Sequence, residues 1–85
     1  MNYQLNTEKI LFTQLGEEGV IYDTESNEYV SLNETFFKIL QGIENRKTTE
    51  QIVRNLCDEY DISEEKCARE VHAALLKLAD KKYII

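Results

Sequence analysis

Glu28-Tyr29-Val30-Ser31-Leu32-Asn33-Glu34-Thr35-Phe36-Phe37 is the stretch that decides the fold of this 85-residue chain. Its first five residues alternate. Val30 and Leu32 point one way, Tyr29 and Ser31 the other, as in a strand with one buried face. Asn33 then ends the alternation and offers a side-chain oxygen to the free amides of a helix N-terminus. Beyond it Phe36, Phe37, Ile39, Leu40 and Ile43 recur at helical period. A strand therefore runs directly into a helix.

Working outward to the N-terminus, Ile10-Leu11-Phe12-Thr13 and Val20-Ile21-Tyr22 are short, β-branched and aromatic-rich runs. Gly16-Glu17-Glu18-Gly19 separates them as a turn. Thr24-Glu25-Ser26-Asn27, whose side chains bond their own backbone, makes a second turn before Glu28. Short turns between short strands predict a three-stranded antiparallel meander over about residues 9–32. Tyr3 precedes the first strand and is expected to be disordered.

Toward the C-terminus the pattern is helical over about residues 33–82. Gly42 lies near the end of the first helix. Thr48 and Gln51 have capping-box spacing, and Ile52, Val53, Leu56, Cys57 and Tyr60 follow at helical period. Asp61-Ile62 breaks that pattern, and Ser63 caps a third, longer helix. Glu64 and Glu65 suit its first turn and Lys81 and Lys82 its last, as the helix dipole favours. Tyr83-Ile84-Ile85 is read as docked. The whole is one α+β domain, residues 1–85, in which a three-stranded antiparallel sheet precedes a three-helix, winged helix-turn-helix-like bundle.

On a helical projection of the third helix, Cys67, Val71, Ala74, Leu75 and Leu78 share the core face. A second apolar arc runs through Ala68, Ala79, His72 and Leu76. Lys66, Arg69, Ala73, Lys77 and Asp80 complete the solvent side. The second arc either packs on the sheet or forms a shallow groove for a partner.

Composition narrows the function. Sixteen acidic residues against ten Lys and Arg leave a formal charge of −6, and the cations are scattered. Nucleic-acid binding depends on neutralising phosphates, so such a chain is poorly suited to it. No apolar run is long enough to cross a membrane, and Met1-Asn2-Tyr3-Gln4-Leu5-Asn6 lacks the basic start of a signal peptide. The expectation is a cytoplasmic protein with neither a nucleic-acid nor a membrane partner.

Enzymatic chemistry is not expected. Cys57 and Cys67 are not in a CxxC unit, and His72 is the one histidine, so no metal ligand set emerges. His72 lies about 140° around the helix from Cys67, too far for a thiol–imidazole pair. No catalytic residue, metal or cofactor is assigned. The paired carboxylates Glu17-Glu18 and Glu64-Glu65 suit a turn and a helix N-terminus.

The order of elements, with Ser31-Leu32-Asn33-Glu34-Thr35, the Thr48-Thr49-Glu50-Gln51-Ile52-Val53 opening and the Glu59-Tyr60-Asp61-Ile62-Ser63 junction, resembles the PqqD family. The similarity runs from about Lys9 onward. It implies a recognition element for ribosomally made precursor peptides. A stand-alone chain of this size is similar to the leader-binding proteins of split lasso-peptide systems, which work with a separate leader peptidase and a cyclase. By that resemblance a leader peptide adds as a strand beside the third strand, in a cleft against the third helix. The expected peptide contacts are Glu28, Tyr29, Val30, Ser31 and Leu32, with His72, Ala73 and Leu76 lining the cleft. Arg69 and Lys77 are expected to meet leader carboxylates, and Glu28 or Glu70 a leader lysine. Both flanks of the third helix remain open. The alternatives are a winged helix-turn-helix DNA-binding regulator and a module that associates with itself through the strand edge.

Overall fold

The computed structural model describes residues 3–16 and 18–85. Its strands are β1 (Ile10–Leu15), β2 (Glu18–Asp23) and β3 (Glu28–Leu32), followed by helices α1 (Glu34–Glu44), α2 (Thr49–Tyr60) and α3 (Glu64–Asp80). The sheet is an antiparallel meander in the order β1-β2-β3. Its register sets Phe12 beside Ile21 and Ile21 beside Val30, all turned toward the helices. One residue along, Leu11, Tyr22 and Tyr29 form the matching row on the outer face. Ile10 and Ile21 are fully buried, whereas Leu11 and Tyr29 are exposed. The period of two thus puts one sheet face on the core.

The strands are longer than the sequence runs suggest. β1 continues to Leu15, and β2 begins at Glu18, so Glu18 and Gly19 belong to a strand and not to the expected turn. Glu17 of that turn lies outside the described residues. Gly16 keeps the turn role, with φ of +64°. Gly19 stays in the strand for a steric reason: a Cβ there would overlap the Phe37 ring, which packs over it and against Phe12 at 5.7 Å between centroids. The second turn is closed by Asp23, whose Oδ1 accepts from the amides of Glu25 and Ser26 at 3.0 and 3.3 Å. Asn27 takes the left-handed conformation there, as a short polar side chain tolerates.

Each helix begins where its cap residue stands. Asn33 accepts from the Phe36 amide at 2.8 Å. Thr48 and Gln51 make the reciprocal capping box, at 3.2 and 2.9 Å. Ser63 accepts from the Lys66 amide at 3.2 Å. These bonds satisfy amides that the helix itself leaves unpaired. α2 stops at Asp61 in the left-handed region, and α3 turns back to cover the same core. Its expected face is the buried one: Cys67, Val71, Ala74, Leu75 and Leu78. α1 approaches α2 closely at Gly42, where an added Cβ would sit 2.8 Å from Ile52 Cγ1.

The chain ends are tied together. Leu5 pairs with Ile84 in an antiparallel bridge, and Gln4 and Ile85 exchange two backbone hydrogen bonds of 2.8 Å. Tyr83 and Ile84 are buried, and Tyr3 packs half-buried on the core. Tyr3 is therefore placed against the core, where the sequence alone suggests disorder.

Candidate functional site

β3 is hydrogen-bonded to β2 along one edge only, and no described strand pairs with the other. A free edge presents backbone N–H and C=O groups ready to bond another strand. Beside the last residues of β3, the first turn of α1 and the last turn of α3 close a cleft of about 270 Å³. Val30, Ser31, Leu32 and Asn33 come from the strand and the junction that follows it. Phe36 comes from α1, Lys77 and Leu78 from the last turn of α3, Lys81 is the residue that caps that helix, and Ile21 and Tyr83 form the floor. At this volume the cleft suits one or two side chains better than a large cofactor.

Each lining residue is set by its neighbours. Val30 and Leu32 are half-buried because their strand face packs on the core. The adjacent phenylalanines divide: Phe37 goes into the core against Gly19, while Phe36 is left at the cleft. Tyr83 is held by its hydroxyl, which donates to Asp23 Oδ2 at 3.2 Å. Burial pushes that phenol above its ordinary pKa, and the bond to Asp23 adds to the effect. Lys81 Nζ stands 5.9 Å from the centre of the same ring.

The structure brings together part of the sequence-derived set. Val30, Ser31, Leu32 and Lys77 meet at the cleft. Glu28 and Tyr29 lie on the same strand, but Tyr29 turns to the outer face, 76% exposed, with its ring 4.8 Å from that of Tyr22. Ala73 is exposed one turn before Lys77, on the same side of α3. Arg69 and Leu76 are exposed and are not among the residues that line this cleft. His72 faces a different depression, between α2 and α3, with Tyr3, Glu50, Arg54 and Ala68. Phe36, Leu78, Lys81 and Tyr83 were not in the sequence-derived set. The i, i+4 spacing of Lys77 and Lys81 was the available signal for one of them.

The cysteines are occupied elsewhere. The Cys67 thiol donates to the Val53 carbonyl at 3.4 Å, and burial pushes its pKa up, away from the thiolate. Cys57 donates to the Ile62 carbonyl at 2.8 Å and helps to close the turn between α2 and α3.

The family model for coenzyme PQQ synthesis protein D (PqqD) matches residues 18–84. Two solved structures share the fold. TbiB1 in complex with the TbiA(beta) leader peptide superposes with a TM-score of 0.87 at 22% identity, over 95% of this chain and 93% of that one. Lasso peptide synthetase B1 complexed with the leader peptide superposes with a TM-score of 0.88, also at 22% identity, over 100% and 99% of the two chains. No curated protein matches the sequence.

Proposed function

The chain belongs to the PqqD family, and from that premise we propose that it is a recognition module for the leader segment of a ribosomally made precursor peptide. The leader adds as a fourth strand to the free edge of β3 and lies in the cleft between that edge and α3. The observation that carries this reading is the coincidence of an unpaired strand edge with a cleft of mainly apolar lining along it. Backbone bonds to the edge supply affinity without regard to sequence, and alternate side chains entering the cleft supply selectivity. Both solved neighbours are leader-peptide complexes, which supports the same assignment here.

The contacts on this reading are Glu28 to Leu32 for the strand pairing, with Phe36, Lys77, Leu78, Lys81 and Tyr83 for the side chains. Glu28, at the far end of the edge, remains the partner for a leader lysine. The module acts as a binding partner and not as a catalyst, in the cytoplasm where precursors are synthesised. It hands the leader to a separate leader peptidase and to a cyclase, in a lasso-peptide system. Fluorescence polarisation with a labelled leader, encoded by a precursor gene beside this one, tests the proposal. Saturable binding without cleavage is expected. A folded sample that binds no neighbouring leader contradicts it.

A further inference from the structure

The charged side chains that border the cleft are Lys77 and Lys81, and no carboxylate stands among its lining residues. This runs against the balance of a chain with sixteen Asp and Glu and ten Lys and Arg. Two cations elsewhere are engaged: Lys9 pairs with Glu25 at 3.4 Å, and Lys38 with Glu34 and Glu59. Among the described residues neither Lys77 nor Lys81 forms an ion pair. The dipole of α3 makes cations welcome in its last turn, but it leaves both ammonium groups free to meet an incoming anion.

The spacing is suitable for a strand. Lys77 and Lys81 are one helical turn apart, about 6 Å along the axis. Side chains on one face of an extended peptide recur every second residue, about 6.8 Å apart. A peptide paired to β3 turns alternate side chains toward the helices, as Val30 and Leu32 are turned. One inward side chain then covers the apolar lining contributed by Val30, Leu32 and Phe36, and the next comes within reach of the lysines.

Resting on the peptide-binding reading above, we infer that the bound peptide is acidic at the cleft. It carries an apolar side chain and, two residues away on the same face, an aspartate or glutamate that pairs with Lys77 and Lys81. Such a charge-assisted contact in a partly desolvated groove is stronger than a neutral hydrogen bond. It also gives the module a means of rejecting basic or neutral leaders that could otherwise pair with the same strand edge.

Selection of a displayed library of short random peptides tests this, run against the wild-type chain and against the Lys77→Glu/Lys81→Glu variant. Both lysines are exposed, so the variant is expected to keep the fold, checked by circular dichroism. The wild-type pool is expected to be enriched in Asp or Glu two positions from an apolar residue, and the variant pool in Lys or Arg there. Exchange of the acidic residue of a selected peptide for its amide is expected to weaken wild-type binding about tenfold. A Lys77→Gln/Lys81→Gln variant is expected to lose the acidic preference. Pools without an acidic position, or the same peptides from wild type and variants, overturn the inference and leave strand addition standing. No enrichment at all by the folded wild-type chain overturns the peptide-binding reading and this inference together.

Discussion

The hydroxyl of Tyr83 donates to the carboxylate of Asp23 at 3.2 Å, joining the last residues of the chain to the turn between β2 and β3. The same tyrosine is part of the cleft floor. One buried hydrogen bond therefore links the C-terminal residues, the turn that sets the start of β3 and the floor over which a peptide would lie.

Tyr83→Phe keeps the ring and removes that donor. It is expected to cost about 1 kcal/mol of stability, the size of one hydrogen bond lost from a buried acceptor that keeps other partners. Urea denaturation checks this. The cleft floor remains in place, so leader affinity is expected to change by less than the stability does.

The Asp23 carboxyl sets a pH dependence. Burial alone would raise its pKa, but the amides of Glu25 and Ser26, the Tyr83 hydroxyl and the Lys9 charge together hold it below 3.8. A carboxyl whose pKa is lower in the folded state contributes stability above its unfolded value. That contribution is lost as pH falls through the folded value. The wild-type advantage over Asp23→Asn is therefore expected to be full near neutrality and to shrink steadily below pH 3.8. Urea midpoints of both proteins across the acid range read it directly.

Two glycines are required for close approach. Gly42→Ala ordinarily gains about 1 kcal/mol in a helix interior. Here the methyl group would stand 2.8 Å from Ile52 Cγ1, and a net loss of about 1 kcal/mol is expected because overpacking outweighs propensity. Gly19→Ala is expected to cost more, about 2 kcal/mol, since its methyl group meets the Phe37 ring between strand and helix. Thermal unfolding checks both, with about 4–8 °C expected for each kcal/mol in a domain of this size.

The two flanks of α3 separate in a binding assay. Phe36→Ala removes an apolar wall of the cleft and is expected to weaken leader binding about tenfold, the equivalent of about 1.4 kcal/mol. His72→Ala and Leu76→Ala lie away from that wall, and both are expected to bind as the wild type does. Equal weakening by all three variants, measured on folded samples by fluorescence polarisation, would contradict the assignment of the cleft.

Much of the fold was legible because its signals are local. Asn33, Thr48 and Ser63 each stand at the start of a helix and cap it through bonds to residues three positions on. The buried face of α3 follows from its period alone. What the sequence concealed depends on contacts between distant residues. Gly19 reads as a turn residue until the Phe37 ring is seen above it. The Leu5–Ile84 bridge joins opposite ends of the chain and has no local pattern to announce it. The cleft was half legible for the same reason. Alternation in β3 identifies Val30 and Leu32, but the flank of α3 that lies beside them is decided by how α3 packs on α2 and the core. His72 and Leu76 belong to an arc as apolar as any groove, yet they stand away from the β3 cleft.

An N-methyl scan of a bound leader peptide tests strand addition most directly, because each methyl group removes one backbone donor and leaves the side chain unchanged. Pairing to one edge of β3 uses alternate amides of the peptide. The expected result is loss of binding at every second position through the segment opposite Glu28 to Leu32, with the intervening positions tolerated. Uniform tolerance, or a loss that recurs every three to four residues as for a helix in a groove, would contradict the account.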